Sequence, residues 1–358
     1  MKQSASRQSR IKLRPVEEKP PVNFPLREFQ RRGGDPILED WLRRWMEREV
    51  VPNNERTTAY AYGNIVKNHL IPALGRVKLS QITPDLLEEY YHWLGKERGL
   101  ASNTIRKHHI LLHTSLQAAC RLGLLRTNPV DLAMPPRYET GSANYYNPEQ
   151  LGELLQMVTG HALELPVRLA CSLGLRRGEI LGLRWRDVDL EEGTLTVRRT
   201  RTTMGSVVVE KAPKTVVSCR TLSIASLGDL INLLEVLRED RKQREVPCGA
   251  NDLLVLDTTD RPWHPNVLTS TFSHFVLKHG LPPVTLHGLR HSFASVASNA
   301  RVPMYQISRA MGHSSPATTQ RVYTHLFEPT HGEVLAAVAA AIPPGKNQTR
   351  KKTARSSK

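Results

Sequence analysis

The stretch from Asp35 to Pro135 constrains the fold most, because it contains four helix patterns in close succession and almost no strand pattern. In the first pattern, Ile37, Trp41 and Trp45 recur every four residues and would share one face of a helix. Short breaks rich in proline and glycine separate the four patterns. Amphipathic helices joined by short loops pack against one another, so this stretch predicts a small helical bundle.

Helix boundaries in this bundle follow from proline, glycine and capping residues. We expect Pro72 and Gly75 to end the second helix. Thr83 is the expected N-cap of the third helix, with Pro84 in its first turn and Gly99 at its exit.

The fourth helix, in "SNTIRKHHILLHTSLQAACRLGLL", would begin at Ser102 or Asn103. Its basic residues Arg106, Lys107 and His108 would lie on one exposed face. Such a face either is merely solvated or contacts the phosphates of a nucleic acid, and the charge of the whole chain favours phosphate contact.

A proline-rich segment, residues 136–148, follows the bundle and is typical of a linker. Beyond it, three stretches rich in valine and threonine alternate as strands do: "GTLTVRRTRTT", "SVVVEKA" and "TVVSCRTLSI". The remaining patterns in this part of the chain are helical. The predicted fold is therefore mainly α with a small antiparallel sheet, with a helical-bundle domain at residues 33–135 and a larger α+β domain at residues 149–344.

The charge balance points to a polyanionic partner. The 358 residues include 50 lysines and arginines against 34 acidic residues, a formal net charge of +16. Such an excess is typical of proteins that bind nucleic acid, although a solvated basic surface gives the same number. Residues 1–32 are basic and proline-rich, and residues 345–358 are basic without an acidic residue. Each is predicted to be a flexible tail that either contacts DNA or stays free in solution.

The cysteines show no metal-binding spacing. No Cys-x-x-Cys pair occurs, so we expect a reducing compartment and no zinc module; the four residues are Cys120, Cys171, Cys219 and Cys248. Cys171, in "LACSLGL", is predicted to be a small core residue. The basic N-terminus lacks the apolar stretch of a signal peptide, and no run is long enough to span a bilayer. A cytoplasmic location without membrane contact is expected.

Charged and titratable residues stand in apolar surroundings in the second domain. In "LHGLRHSFAS", His287 and Arg290 are three residues apart and would project from one helix face. In "LGLRRGEILGLRW", Arg176 stands at a predicted helix entry, with Glu179 placed to pair with it. Lys214 lies in a turn between two predicted strands, from which a lysine can reach into a groove. Taken singly, each fits an ordinary surface or core position.

Together with His313 and Tyr323, these residues suit one reaction, the attack of a tyrosine on a phosphodiester. A phenol is a poor nucleophile at neutral pH because its pKa is about 10. Two guanidiniums would stabilise the charge that develops on the phosphate oxygens. Lys214 could protonate the leaving 5′ oxygen, and His287 could take the phenol proton or help to neutralise the intermediate. We expect no metal and no cofactor.

The order of these motifs resembles the tyrosine recombinases, also called the phage integrase family. The first-arginine motif is "LGLRRGEILGLRW", the His-x-x-Arg box is "LHGLRHSFAS", and the final His and Tyr box is "MGHSSPATTQRVYTHL". The resemblance covers most of the chain and implies six active-site residues: Arg176, Lys214, His287, Arg290, His313 and Tyr323. Glu179 would orient an arginine, and Lys211 is a rival for the role of Lys214.

The resemblance also implies how such an enzyme would work. Tyr323 would form a 3′-phosphotyrosyl link and release a 5′-hydroxyl, and a 5′-hydroxyl from another duplex would then rejoin the strand without ATP. Residues 33–135 would be a SAM-like core-binding domain. The implied partners are double-stranded recombination sites, further copies of the chain in a homotetramer on two sites, and DNA-bending accessory proteins or an excision factor. The activity would integrate or excise a mobile element such as a phage.

Three other functions fit parts of the pattern. A topoisomerase-like enzyme would use the same tyrosine only to relax DNA, and a DNA-binding regulator would lack catalysis. A metal hydrolase would use histidine ligands, for which the candidates are His287, His291, His313 and His325. The alanine-rich segment "HGEVLAAVAAAIPP" would dock on a neighbouring protomer or pack on its own domain.

Overall fold

A computed structural model of the chain describes residues 35–138, 144–212 and 219–312. These residues form two compact units, one within residues 1–141 and the other within residues 142–358. The first unit is helical, and the second combines helices with small antiparallel sheets. The predicted fold class is therefore confirmed.

Six α-helical segments build the described part of the first unit. Two π-helical turns there join the first four segments in pairs, so that the chain forms four helical bodies, as predicted. The segments are α1 (Leu38–Trp45), α2 (Val51–Asn53), α3 (Arg56–Ile65), α4 (Ile71–Leu74), α5 (Pro84–Lys96) and α6 (Ser102–Arg121), with π-turns at Met46–Val50 and Val66–Leu70 and 3₁₀ turns at Leu79–Gln81 and Pro129–Asp131.

Pro72 does not end the second helical body, so that prediction is wrong. The amide of Ile71 reaches back five residues to the carbonyl of Val66, and this wide π-turn carries the helix through Pro72 to Leu74. A proline has no amide hydrogen, and in the first turn of a new helical segment none is required. Gly75 then follows the last helical residue, as predicted.

The starts of α5 and α6 test two capping predictions. Thr83 accepts a hydrogen bond at 3.2 Å from the backbone amide three residues on, and Pro84 is the first residue of α5, as predicted. The predicted cap of α6 is wrong, because Ser102 is already its first helical residue and Ala101 precedes it without a side-chain cap. A serine inside the helix cannot serve as the residue that caps it.

The face of α6 that was predicted to be exposed is partly core. His108 is 1% exposed, its Nδ1 lies 2.9 Å from the hydroxyl of Tyr90 on α5, and its ring packs edge to face on His69. Lys107 is exposed and Arg106 is half-buried. The prediction is therefore wrong for His108, because position 108 falls on the buried stripe of α6 and Tyr90 supplies a polar partner there.

Tryptophans anchor α1 in the core of the first unit. Trp41 and Trp45 are each 3% exposed, and Nε1 of Trp41 donates to Oγ of Ser115 on α6 at 2.9 Å. Burial of a large apolar side chain contributes about 1.5–3 kcal/mol to folding. The predicted packing face of α1 is thus confirmed for Trp41 and Trp45, whereas Ile37 precedes the helix as its N-cap residue and is only half-buried.

Seven α-helices and five strands make up the described part of the second unit. In chain order they are α7 (Pro148–Val158), α8 (Glu164–Leu173), α9 (Arg177–Gly182), β1 (Val188–Asp189), β2 (Thr194–Val197), β3 (Thr200–Met204), β4 (Val207–Lys211), β5 (Arg220–Ser223), α10 (Gly228–Gln243), α11 (Pro265–Lys278), α12 (Leu286–Asn299) and α13 (Met304–Met311). Cys171, in α8, is buried, as predicted.

The described strands form two antiparallel sheets. β2 lies between β1 and β5, and β3 pairs with β4 as a hairpin. All three predicted strand stretches contain a strand, and the first contains two because Arg198 and Arg199 separate β2 from β3. β1 was not predicted, since two residues are too few to show an alternating pattern.

Two glycines end helices beside the candidate site. Gly174 after α8 and Gly312 after α13 have φ angles of 60° and 66°, in the left-handed region that glycine tolerates. A Cβ on Gly174 would lie 2.6 Å from the ring of Phe293 on α12, and one on Gly312 would lie 2.6 Å from Nη1 of Arg220 on β5. Side chains from other elements therefore approach both turns closely.

Candidate active site

Two arginines from separate helices converge on one backbone oxygen. Arg176 is the N-cap residue of α9, and Arg290 lies in α12. Nη1 of Arg176 and Nη2 of Arg290 lie 3.4 Å and 2.8 Å from the carbonyl oxygen of Met311, the last residue of α13. The fold thus makes neighbours of two arginines that are far apart in the sequence.

Arg290 is almost fully buried, with 1% of its surface exposed. Its Nη1 donates to the carbonyl of Gly174 at the end of α8, and its Nη2 donates to Met311 at the end of α13. Carbonyl oxygens at a helix C-terminus have no partner within the helix and carry partial negative charge. Two helix ends therefore stabilise this buried cation.

Arg176 is held by the carboxylate three residues after it. Oε1 of Glu179 accepts from Nη1 of Arg176 at 2.8 Å, and Oε2 accepts from the backbone N–H of Arg176 at 2.9 Å. Nη2 of Arg176 donates to the carbonyl of Gly312 at 3.0 Å. The side chain of Arg176 is 36% exposed, so a ligand can still reach it.

Sequence reasoning missed a third arginine, Arg220 on β5. Its Nη1 and Nη2 donate to Oε1 and Oε2 of Glu179 at 3.2 Å and 3.0 Å, and its Nε donates to the carbonyl of Ala310 at 2.7 Å. In the sequence it is one polar residue of a strand pattern, and nothing local distinguishes it from a solvated one.

Glu179 is ionised although it is 1% exposed. Burial by itself would raise the pKa of the carboxyl group. Hydrogen bonds and charge from Arg220, and then from Arg176, outweigh burial and hold the pKa of Glu179 below its ordinary value. The cluster therefore sets three guanidiniums, including that of Arg290, against one carboxylate and keeps a net positive charge.

Two histidines of α12, His287 and His291, lie beside this cluster. Burial, followed by the charges of Arg290 and Arg176, lowers the pKa of His287. The ring of His291 packs edge to face on His287 at 4.7 Å, and burial, followed by the charges of His287 and Arg290, lowers the pKa of His291 to about 4. A neutral imidazole can accept a proton, so His287 is suited to act as a base.

A cavity of about 490 Å³ borders the same histidines. His287, His291 and Thr285 line it together with the apolar side chains of Val276, Leu277, Leu281 and Val284. His287 is thus in contact with open space and is not sealed inside the core.

The predicted residues Lys214, His313 and Tyr323 lie outside the described residues. His313 is the next residue in the sequence after Gly312, whose carbonyl accepts from Arg176. Lys211, the rival for the role of Lys214, ends β4 opposite Thr200 of β3.

The predicted DNA-contacting residues Arg106 and Lys107 lie on α6 of the first unit, whereas the other described site residues belong to the second unit. Nη1 of Arg106 donates to the carbonyl of Pro136 at 3.1 Å. Within the described residues, no three His, Cys, Asp or Glu side chains are grouped so that they could hold a metal ion. Among those same residues, every helix is too short or too polar to cross a membrane.

Known protein families match both parts of the chain. Residues 37–94 match the phage integrase N-terminal SAM-like domain, and residues 145–329, more than half of the chain, match the phage integrase family. The chain belongs to the phage integrase family. The resemblance carried by the three sequence boxes is confirmed, and this integrase is a site-specific DNA recombinase of the tyrosine type.

Similar proteins align along most of this integrase. The tyrosine recombinase XerC-like protein of Caldanaerobacter subterraneus subsp. tengcongensis is 27% identical over 319 residues, covering 82% of this chain and 80% of its own. The ICEBs1 integrase of Bacillus subtilis is 24% identical over 286 residues, covering 78% of this chain and 76% of its own. The integrase of Mycobacterium phage L5 is 24% identical over 285 residues, covering 78% of this chain and 72% of its own.

Solved structures share the fold of this integrase. The Tn1549 transposon integrase in complex with a circular intermediate DNA has a TM-score of 0.74 at 20% identity, covering 86% of this chain and 100% of that chain. A lambda integrase dimer bound to a core site has a TM-score of 0.62 at 16% identity, covering 83% of this chain and 79% of that chain.

Proposed function

We propose that this integrase cuts and rejoins DNA strands with six residues, among which Tyr323 is the nucleophile. The six are Arg176, Lys214, His287, Arg290, His313 and Tyr323. The observation that carries the proposal is the convergence of Arg176 and Arg290 on the carbonyl oxygen of Met311.

Two guanidiniums that donate to one oxygen form an arrangement that can bind a phosphate. A non-bridging phosphate oxygen is charged and accepts more strongly from such donors than a backbone oxygen does. Arg176 is the more exposed of the two arginines and is the one a phosphate reaches first. The positive surplus of the cluster attracts the phosphodiester and stabilises the charge that attack adds to its oxygens.

In the cleavage step, the phenol oxygen of Tyr323 attacks phosphorus and the bond from phosphorus to the 5′ oxygen breaks. The phenol proton passes to His287, whose lowered pKa keeps its imidazole neutral and able to accept it. Lys214 gives a proton to the departing 5′ oxygen, and His313 donates to a phosphate oxygen. The 3′-phosphotyrosyl ester keeps the bond energy, so a 5′-hydroxyl of another duplex reverses the step and rejoins the strand without ATP.

We infer that the DNA substrates are two recombination sites of a mobile element. Relatives of this chain are the ICEBs1 integrase and the integrase of Mycobacterium phage L5, and these names support integration or excision of such an element. One solved structure of the same fold is a lambda integrase tetramer bound to a Holliday junction, with a TM-score of 0.61. By analogy, we propose a homotetramer on two sites, with DNA-bending accessory proteins or an excision factor as further partners, acting in the cytoplasm.

Different parts of the chain have different roles in this function. Residues 33–135 bind duplex DNA, with Arg106 and Lys107 on phosphates, and residues 149–344 carry out the chemistry. Residues 136–148 link the two parts. The basic segments 1–32 and 345–358 add contacts to the DNA backbone, which makes binding sensitive to salt.

A nicked suicide substrate tests the nucleophile. Cleavage beside the nick releases a short 5′-hydroxyl fragment, so the enzyme should stay trapped on DNA as a covalent adduct. Tyr323→Phe should form no adduct, whereas the control Tyr305→Phe, which removes the hydroxyl of a tyrosine 61% exposed on α13, should trap as the wild type does. An adduct formed by Tyr323→Phe would overturn the assignment of the nucleophile.

The same preparation separates the competing functions. Two marked duplexes should exchange strands if the enzyme is a recombinase, whereas a relaxing topoisomerase would change only the supercoiling of plasmid DNA. A regulator without catalysis would form no adduct. Adduct formation in EDTA would remove the metal-hydrolase alternative.

A further inference from the structure

We propose that Arg220 is a positioning residue for strand cleavage, which fixes Arg176 through Glu179 and fixes the end of α13 through the carbonyl of Ala310. The inference rests on the proposed function, because it takes Arg176 to be a residue that contacts the scissile phosphate.

Arg220 and Arg176 share one carboxylate, that of Glu179. Arg220 donates to both oxygens of Glu179, at 3.2 Å and 3.0 Å, with the fork of its guanidinium. Each of those oxygens also accepts from Arg176, one from its guanidinium and the other from its backbone N–H. The orientation of Glu179 therefore sets the orientation of Arg176, and Arg220 supplies half of the four hydrogen bonds that fix Glu179.

The end of α13 is bound by the same arginines. Three successive carbonyl oxygens there accept from the arginines. That of Ala310 accepts from Arg220, and that of Met311 accepts from both Arg176 and Arg290. That of Gly312 accepts from Arg176. A helix end leaves such carbonyls without helical partners, so the arginines supply what the helix lacks. Gly312 leaves room for this contact, since a Cβ there would lie 2.6 Å from Nη1 of Arg220.

Arg220 is more buried than Arg176. The side chain of Arg220 is 8% exposed, compared with 36% for Arg176. Its Nε, Nη1 and Nη2 all donate to protein oxygens. These contacts are the ones by which Arg220 holds Glu179 and the end of α13 in place, whereas Arg176 is the arginine that solvent reaches most readily.

Two substitutions at this position test the proposal. Arg220→Met removes all three donors, and Arg220→Lys keeps the charge but replaces the planar fork by a single ammonium. At saturating DNA we expect Arg220→Met to slow the single-turnover cleavage of the suicide substrate by about 100-fold, the effect of a small misplacement in an active site. Arg220→Lys should lie between Arg220→Met and the wild type. The Kd for DNA should stay close to that of the wild type in both variants.

The matched control is Arg241→Met. Arg241, on α10, is 5% exposed and donates to the carbonyls of Leu253 and Leu254, so it is a buried arginine of similar surroundings away from Glu179. Arg241→Met should lower the thermal midpoint as Arg220→Met does, and it should leave the cleavage rate of the folded enzyme unchanged. A cleavage rate that is unaffected in folded Arg220→Met would overturn the proposal.

A methylphosphonate at the scissile position distinguishes positioning from general damage. This linkage lacks one charged non-bridging oxygen, so less charge develops on attack and a misplaced guanidinium matters less. Relative to wild type on the same substrate, the defect of Arg220→Met should shrink on methylphosphonate, as should that of Arg176→Ala. If only the Arg176→Ala defect shrinks, Arg220 has a merely structural role and the inference is wrong. If the Arg176→Ala defect does not shrink, the proposed role of Arg176 itself is wrong.

A double-mutant cycle with Glu179→Gln provides a second readout. Because Arg220 and Glu179 act on Arg176 as one unit, the double variant should cleave about as fast as the slower single variant. Losses that multiply would mean that the two residues act independently, which would overturn the proposal.

Discussion

Glu179 binds Arg176 at both ends, accepting from its guanidinium at 2.8 Å and from its backbone N–H at 2.9 Å. The same carboxylate accepts hydrogen bonds from Nη1 and Nη2 of Arg220. One buried acid thus fixes two guanidiniums, and the net charge of the site depends on that acid staying ionised.

Acid should destabilise the catalytic unit through Glu179. The folded-state pKa of Glu179 is lowered, so its contribution to stability is fully present above the ordinary carboxyl pKa and is lost as pH falls through the lower, folded value. We expect Glu179→Gln to cost about 3 kcal/mol at neutral pH, because it leaves the buried guanidinium of Arg220 without its charged partner. We also expect the variant to show a shallower fall in stability below the ordinary carboxyl range, measured by urea unfolding. Equal slopes for wild type and variant would contradict this.

Gly174→Ala should destabilise the protein more than Gly160→Ala. Both glycines have positive φ, but a Cβ on Gly160 meets nothing within 4 Å, whereas one on Gly174 lies 2.6 Å from Phe293. Backbone strain alone costs about 1–2 kcal/mol, and overpacking adds about 1–3 kcal/mol at Gly174. Unfolding free energies of the two variants check the difference. A slower cleavage rate is expected only for Gly174→Ala, whose carbonyl accepts from Arg290.

The helical unit should lose stability in mild acid because of His108. Burial, followed by the charge of His69, lowers the pKa of His108 from 6.5 to about 4. In the unfolded chain this imidazole binds its proton at higher pH than in the folded one. The contribution of His108 to the free energy of unfolding is therefore constant above pH 6.5 and is lost as pH drops from there to about 4. The NMR signal of this imidazole should titrate near the lower value, and His108→Gln should flatten the pH dependence. A midpoint near 6.5 would show that the ring is solvated.

Lys214, and not Lys211, should be the general acid. A substrate whose scissile 5′ oxygen is replaced by sulfur has a leaving group that needs no proton. Lys214→Ala should therefore cleave the ordinary substrate slowly, by a factor of about 100 to 10,000, and recover on the sulfur substrate. Lys211→Ala, at the end of β4, should cleave both substrates at nearly the wild-type rate. Recovery by Lys211→Ala in place of Lys214→Ala would exchange the two roles.

Deletion of residues 332–358 should weaken strand exchange and spare binding of one protomer to DNA. The deleted part contains the alanine-rich segment that we expect to dock on a neighbouring protomer.

Deletion of residues 345–358 alone removes only the basic tail. It should weaken DNA binding more at low salt than at high salt, because the lost contacts are to phosphates. Gel-shift and two-site recombination assays measure both. Normal recombination by the protein that lacks residues 332–358 would contradict the docking hypothesis.

Local pattern explains what the sequence could predict. His287 and Arg290 are three residues apart on α12, so spacing alone places them on one face. Arg176 is the N-cap of α9, and its partner Glu179 follows three residues later in the first turn. Thr83 and Pro84 likewise mark the start of α5 by rules that act over one turn. The helical bundle and the strands followed from the same short-range periodicity.

The residues that prediction missed depend on partners far away in the chain. Arg220 is bound by Glu179 and Ala310, which lie on other elements, and no periodicity within β5 reports them. His108 can be buried because the hydroxyl of Tyr90 is a hydrogen-bond partner inside the core. The residue type alone does not predict that partner. The π-turn that carries a helix through Pro72 arises from a shifted hydrogen bond, which leaves no compositional mark.

Carbonyl oxygens at the end of α13, the last helix of the described chain, accept from all three arginines of the cluster. All three arginines of the cluster are synthesised before that helix, so on the ribosome their guanidiniums emerge without these acceptors. The arginine cluster therefore acquires its full set of acceptors only after α13 has emerged, and a chain that stalls earlier carries three arginine charges without them.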